Sequence, residues 1–306
     1  MFESRRGHHE IGAVDPLLFC LNVIADVKSI AVLAYYGDMN SKPQILLTND
    51  DGIRSPGLWA AAASLSTLGH VTVTAPRDQS SGAGRSMPST SDGLISEVQM
   101  QVNGRAWNVF AVNGSPAQAV QHGILEVLKF KPDLVVSGIN YGENVASGIT
   151  ASGTVGAAME AASLGIPALA VSLEAHSKYH LSYSADMDFS VAADFTARIA
   201  RLLLDKKLLQ DVNLLKVDVP SDATTSTPWQ LTRVSRQRYY EPIAPERASW
   251  NEPGAVGYRE SAILNHEPQD TDVYVLRTKR WVSVSPLSLD LSSRVDLALL
   301  DKMLRK

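Results

Sequence analysis

Two adjacent carboxylates, Asp50 and Asp51, close the run Ile45-Leu46-Leu47-Thr48-Asn49 and are followed by Gly52. An apolar run of that length, ended by turn residues, predicts a buried strand of a parallel sheet. In open α/β sheets ligands bind beyond the carboxyl ends of the strands, so both aspartates are expected to face a crevice. Carboxylates side by side repel each other unless positive charge lies near them. A divalent, oxygen-preferring cation is the simplest source of that charge.

Two further loops are polar and glycine-rich. One is Pro76-Arg77-Asp78-Gln79-Ser80-Ser81-Gly82-Ala83-Gly84-Arg85-Ser86. The other begins Ser137-Gly138-Ile139-Asn140-Tyr141-Gly142-Glu143-Asn144 and ends at Ser152-Gly153-Thr154, directly before an alanine-rich segment. Small residues at a helix start leave backbone N–H groups exposed, and the helix dipole adds partial positive charge, a combination that suits phosphate. Carboxylates on one loop and an anion cradle on another point to Mg²⁺ or Mn²⁺ between them. Such an ion polarises a phosphoryl oxygen and activates water, which is phosphate-ester hydrolysis. Taken singly, each piece has a plainer reading. Asp-Asp-Gly is a common turn or helix cap, a Ser/Gly loop is a connector, and Ser-Gly-Thr is an N-cap. Their occurrence at successive strand ends is what indicates a site.

Other chemistries lack their motifs. The sequence has no Gly-x-x-x-x-Gly-Lys-Ser/Thr, and Gly82-Ala83-Gly84 runs into Arg85-Ser86-Met87, which leaves the dinucleotide fingerprint incomplete. No Gly-x-Ser-x-Gly elbow occurs. His176 and His180 stand four apart in a polar stretch without an acidic partner pattern, so zinc is not expected there.

The elements that must position these loops alternate. Strands are expected at Ile45–Thr48, His70–Ala75, Asp133–Ser137 and Ala168–Leu173. Helices are expected at Pro56–Leu68, Pro116–Leu128, Gly153–Leu164 and Met187 to about Leu209. Segments Leu94–Val102 and Trp107–Val112 read as a hairpin around Asn103-Gly104. This order predicts an α/β fold with a mostly parallel sheet covered on both faces. Past Leu214 proline becomes frequent, strands such as Gln230–Val234 and Arg280–Val284 stand among turns, and no helix is evident until Ser293–Leu304. That stretch, about residues 214–306, reads as a β-hairpin extension of one domain spanning 43–306.

Bulk properties agree. The chain has 306 residues, 45% hydrophobic and 20% charged, with net charge −4. The composition is that of a globular chain, and the mild acidity gives no support for nucleic acid or an anionic membrane as a partner. A single cysteine, Cys20, excludes an intramolecular disulfide framework and suits a reducing cytoplasm. In the first 42 residues, Arg5 and Arg6 precede an apolar stretch interrupted by Asp15, Asp26 and Lys28, so no clean membrane span forms. The extension reads as an added packing helix or as sequence upstream of a start at Met39, with no convincing signal-peptide cleavage site.

Ile45–Gly57, Ser81-Gly82, Gly114-Ser115-Pro116, Pro132–Asn144 and Ser152–Ala158 together closely resemble the SurE (survival protein E) nucleotidases. Gly165–Ser172 and Val282–Leu287 match further strands, so the likeness runs over roughly residues 44–290. The resemblance implies a Rossmann-like fold and a metal-dependent phosphatase of nucleoside 5′- and 3′-monophosphates, with polyphosphate a further substrate of some members. It implies one divalent ion held by Asp50, Asp51, Ser81 and Asn140, with Asn49, Gly82, Ser152, Gly153 and Thr154 close to the phosphate. It also implies a homodimer or homotetramer built through C-terminal hairpins and helices. The chain departs from the family at Gln118, where an Asp is frequent, at Ala146–Ala151, and at Asp270-Thr271-Asp272, where Gly-Thr-Asp is usual. The alternative to an enzyme is a nucleotide-binding regulatory protein that keeps the pocket without turnover.

Overall fold

The computed structural model describes residues 42–305 apart from 177–178, 181–183, 185 and 262–266, so the expectations for residues 1–41 lie outside it. Strand β1 (Gln44–Thr48) carries the apolar run and is buried along Ile45–Thr48. Its side chains alternate between two cores. Ile45 and Leu47 pack with the buried faces of α1 (Pro56–Leu65) and α4 (Ser190–Asp205). Leu46 packs on the other side with residues of α2 (Pro116–His122) and α3 (Gly153–Ser163). A strand apolar on both faces therefore ends up between two helical layers, as a buried parallel strand must.

β1 pairs in parallel with β2 (His70–Pro76) on one side and β5 (Leu134–Tyr141) on the other. From β2 the sheet continues to β4 (Arg105–Val112) and then β3 (Ile95–Val102). From β5 it continues through β6 (Ala168–Leu173) and β7 (Leu214–Val219) to β11 (Val282–Leu287) and β8 (Trp229–Leu231). Strands β2, β4 and β3 thus lie on one side of β1, and the strands from β5 onward on the other. The topological switch point lies between β1 and β5, where Thr48 faces Ser137.

The expected hairpin forms as β3–β4, with Asn103 at φ 50° and Gly104 at φ 75°, the left-handed pair a two-residue turn demands. Several expectations shift. The strand predicted at Asp133–Ser137 extends to Tyr141 through a register irregularity between Ser137 and Asn140. The long helix is shorter than expected, Ser190–Asp205, and α2 passes into a π-helical turn, Gly123–Leu128, ended by left-handed Lys129. The expected C-terminal hairpin is present, and the strands around it divide between two sheets. β7, β8 and β11 all join the main sheet, and only β9 (Tyr240–Ile243) with β10 (Gly257–Glu260) forms a separate antiparallel ribbon. A short helix, α5 (Asp272–Arg277), lies where no helix is expected, while α6 (Leu297–Leu304) ends where predicted but begins at Leu297 rather than Ser293. Among the described residues no helix is long and apolar enough to cross a membrane.

One polar cluster ties this C-terminal stretch to the sheet. Lys216 on β7 is fully buried, with its Nζ on Asp218 and 3.2 Å from Asp272 at the start of α5. Asp272 also accepts N–H bonds from Ala146 and Ser235, at 3.1 and 2.9 Å, and Asp218 accepts from Asn144 at 2.7 Å. Burial lifts the Asp218 carboxyl to about 6, and the two carboxylates hold the Lys216 ammonium above its ordinary value in spite of burial. Removing one partner leaves buried charge uncompensated, which costs about 3–5 kcal/mol. Lys216→Met should accordingly lower the unfolding free energy by about that much in urea titrations. A change below about 0.5 kcal/mol, the range of neutral surface substitutions, would contradict the role given to the cluster.

Candidate active site

Asn49, Asp50 and Asp51 follow β1 directly and are buried, the aspartates exposing 4% and 1% of their surface. Asn49 turns inward on its own loop. Its Oδ1 accepts from Gly52 N and its Nδ2 donates to Gly52 O, both at 3.1 Å, which closes the turn that presents the two carboxylates.

Asp50 reaches the start of α3. The Thr154 hydroxyl donates to its Oδ1 at 2.5 Å, and the backbone N–H groups of Gly153 and Thr154 favour its charged form. Ser152 is the N-cap, its hydroxyl accepting from Val155 N at 3.1 Å. The anion seated on this helix start is therefore part of the protein. Gly153 makes the approach feasible: a Cβ at this position would lie 2.7 Å from Asp50 Cβ and 2.9 Å from its Oδ2.

Asp51 points across the switch crevice. Gln79 Nε2 donates to its Oδ1 at 2.9 Å, and Tyr141 N, at the end of β5, donates to its Oδ2 at 3.3 Å. Burial pushes the Asp50 carboxyl up against the pull of its hydrogen bonds. Asp51 rises further, well above the usual carboxylate range, because the charge of Asp50 adds to burial. Two desolvated carboxylates at one strand end lower each other's acidity, and a cation between them would relieve both.

The second loop is pinned beside them. Ser80 N donates to Asp50 O at 2.7 Å, Ala83 N to Ser80 O at 3.2 Å, and Gly84 N to Ala151 O at 2.9 Å. The turn so formed carries Ser81 and Gly82 exposed at its tip, one residue from the Asp50 contact. Asn140 lies past the irregularity in β5, half-buried, with Nδ2 donating to Gly142 O at 2.7 Å. That bond turns its Oδ1 to the remaining side. Among the described residues no three His, Cys, Asp or Glu side chains converge as a metal site, so a shell here would need neutral oxygens beside the two aspartates.

Sequence reasoning gave no role to Gln79, whose amide spans Asp51 Oδ1 and, at 2.8 Å, the carbonyl of His180. It sits in a loop noted for its glycines and serines, and nothing local marks it. The family departure at Gln118 has a local account: Gln118 completes a capping box with Ser115, accepting from Ser115 N at 3.0 Å while its own N–H reaches Ser115 Oγ at 3.1 Å. Asp272, in the other departure, is the buried partner of Lys216.

Near the crevice, Glu174 follows β6 and accepts from Arg277, Arg280 and Ser221. Burial alone would raise its pKa, but hydrogen bonds and charge from Arg280, with the Ser221 donors, hold it down at about 2.

The fold and these contacts define an α/β protein with an acidic, oxygen-rich crevice at the switch point of a parallel sheet. The family described as Survival protein SurE matches residues 45–241. The 5′-nucleotidase SurE of Thermococcus gammatolerans is 43% identical over 261 residues, covering 85% of this chain and 96% of its own. The protein of the same name from Methanocella arvoryzae is 38% identical, covering 86% and 98%. The crystal structure of the SurE protein from Aquifex aeolicus superposes with a TM-score of 0.69 at 30% identity, covering 86% of this chain and all of that one. This chain belongs to the SurE family.

Two outcomes check the geometry. Gly153→Ala should lower stability by about 1–3 kcal/mol, the usual cost of forcing a methyl group into packed structure. Gly148→Ala, whose Cβ would meet nothing within 4 Å, should sit close to wild type in the same urea titration. Equal behaviour of the two would contradict the close approach of Asp50 to α3. For Glu174, a folded pKa of about 2 against an ordinary 4.5 means stability present above pH 4.5 and lost as pH falls toward 2. The stability gap between wild type and Glu174→Gln should be widest above pH 4.5 and shrink below it. A gap independent of pH would show that the ion pairs do not hold this carboxylate.

Proposed function

We propose that this protein is a metal-dependent 5′-nucleotidase that hydrolyses nucleoside monophosphates to nucleoside and phosphate. The observation that carries the reading is the buried Asp50–Asp51 pair, presented at the β1–β5 switch point beside two polar loops. Membership of a family whose relatives bear the name 5′-nucleotidase supports it. Activity on 3′-monophosphates and polyphosphate, cytoplasmic residence, and assembly as a homodimer or homotetramer through the C-terminal elements belong to the same proposal.

The residues fit one Mg²⁺ or Mn²⁺ ion. Asp50 and Asp51 would give charged oxygens, Ser81 its hydroxyl and Asn140 its Oδ1, the atom its bond to Gly142 does not use. When bound, the ion supplies positive charge to the phosphoryl group as a Lewis acid. The protein's own groups do the rest. Asp50 is the anchor, fixed by Thr154 and the helix amides. Asp51, oriented by Gln79 and Tyr141 N, is placed to take the proton of an attacking water. Gly82, exposed at its turn, would offer its N–H to a phosphate oxygen, with Asn49, Ser152, Gly153 and Thr154 close by.

Phosphate release from AMP with Mn²⁺ or Mg²⁺ tests this directly. Turnover should require the metal, and Asp50→Asn and Asp51→Asn should each lower kcat by about 10²-fold or more. AMP binding without phosphate release under any metal would instead favour the regulatory reading.

A further inference from the structure

Beyond Asp51 the Gln79 amide leads to a group of aromatic side chains that the phosphate chemistry does not use. Its second bond goes to the carbonyl of His180. The His180 ring is fixed through both nitrogens, Nε2 to Ala175 O at 3.0 Å and Nδ1 to the Tyr258 hydroxyl at 2.9 Å. The two rings lie within 12° of parallel, with centroids 6.1 Å apart. A hydroxyl-to-nitrogen bond of 2.9 Å limits how far one plane can rise above the other, so the offset is mostly lateral. Together the rings present one broad, flat aromatic face. Tyr240 stands nearly perpendicular to both, at 89° to His180 and 77° to Tyr258, and is itself braced edge-on by Tyr239. Tyr258 nonetheless keeps 47% of its surface exposed.

The floor beside this face is shaped for it. Gly142, two residues after Asn140, has φ +100°, and a Cβ there would lie 2.6 Å from His180 Nε2. The loop that carries Asn140 therefore packs over one side of the His180 imidazole, and a base would meet the other side. Gln79, bonded to Asp51 and to the His180 backbone carbonyl, joins the carboxylate to the segment that carries the ring, and in a nucleoside monophosphate the sugar joins phosphate to base.

We propose that the joined face of Tyr258 and His180 stacks the nucleobase of the substrate and makes Tyr258 a specificity-determining residue. The inference rests on the nucleotidase reading. A planar platform stacks any base, because every base has a π-face, so it discriminates nucleotides from phosphate esters without a base. Burial and nearby Glu143 push the Tyr239 and Tyr240 phenols above their ordinary range, so the support behind the platform stays uncharged.

The test compares AMP with ribose 5-phosphate on the full chain with Mn²⁺, by steady-state kinetics and by equilibrium binding. Tyr258→Ala should lower kcat/KM for AMP about tenfold relative to that for ribose 5-phosphate, with the change in KM. Tyr258→Phe keeps the stacking surface and should restore most of the preference. An AMP to ribose 5-phosphate ratio unchanged in Tyr258→Ala, with phosphatase activity intact, would overturn the inference alone. Failure of wild type to hydrolyse either ester would overturn the nucleotidase reading. The ratio of binding constants then still decides whether Tyr258 recognises the base.

Discussion

The contact between the Asp50 carboxylate and the first turn of α3 is the constraint from which the rest of the site follows. It joins the end of β1 to a helix 104 residues further along the chain. A fully buried carboxylate stays charged only where donors replace the water it has lost. Thr154 and the backbone amides of the helix start replace part of that water here, helped by the partial positive charge of the helix terminus, although burial still raises the carboxyl. Gly153 admits the carboxylate, Ser152 caps the turn without competing for it, and Ser80 N fastens the neighbouring loop to Asp50 O. The helix start is thus an internal anion site that fixes where Asp50 stands.

With Asp50 held, Asp51 has little choice but to face the crevice between β1 and β5. Its donors are a side-chain amide and a backbone N–H, neither of which carries charge. Burial and the repulsion from Asp50 that adds to it lift Asp51 well above the ordinary range. A divalent cation between the two carboxylates, as proposed, would offset that repulsion. The same Gln79 that orients Asp51 also sets the position of His180, so the acidic crevice and the aromatic face share one strut. Behind them the buried Lys216 cluster holds Asn144 and Ala146, the continuation of the Asn140 loop, against β7 and α5.

Local chemistry made much of this readable from the sequence. The apolar run before Asp50 defines β1, Asn103-Gly104 defines a hairpin, and Ser152-Gly153-Thr154 defines a helix start. What was unreadable depends on partners distant in the chain. The start of α3 reads as a phosphate cradle, and its contact with the Asp50 side chain is not visible locally. Helix α5 is six residues long in a proline-rich stretch, and its position depends on Asp272 meeting Lys216. Gln79 looks like any loop glutamine until His180 and Asp51 are brought to it. The aromatic face joins residues 180, 240 and 258, with nothing in their spacing to connect them.

If a divalent cation completes the buried Asp50–Asp51 pair, the folded protein gains stability from the metal. The most direct measurement is the unfolding temperature of wild type and Asp51→Asn across a titration with Mn²⁺. A ligand that binds the native state alone raises stability with its concentration. Wild type should therefore gain stability steadily with Mn²⁺ while Asp51→Asn stays flat. A wild-type curve that ignores the metal, or a variant that follows wild type, would contradict the account.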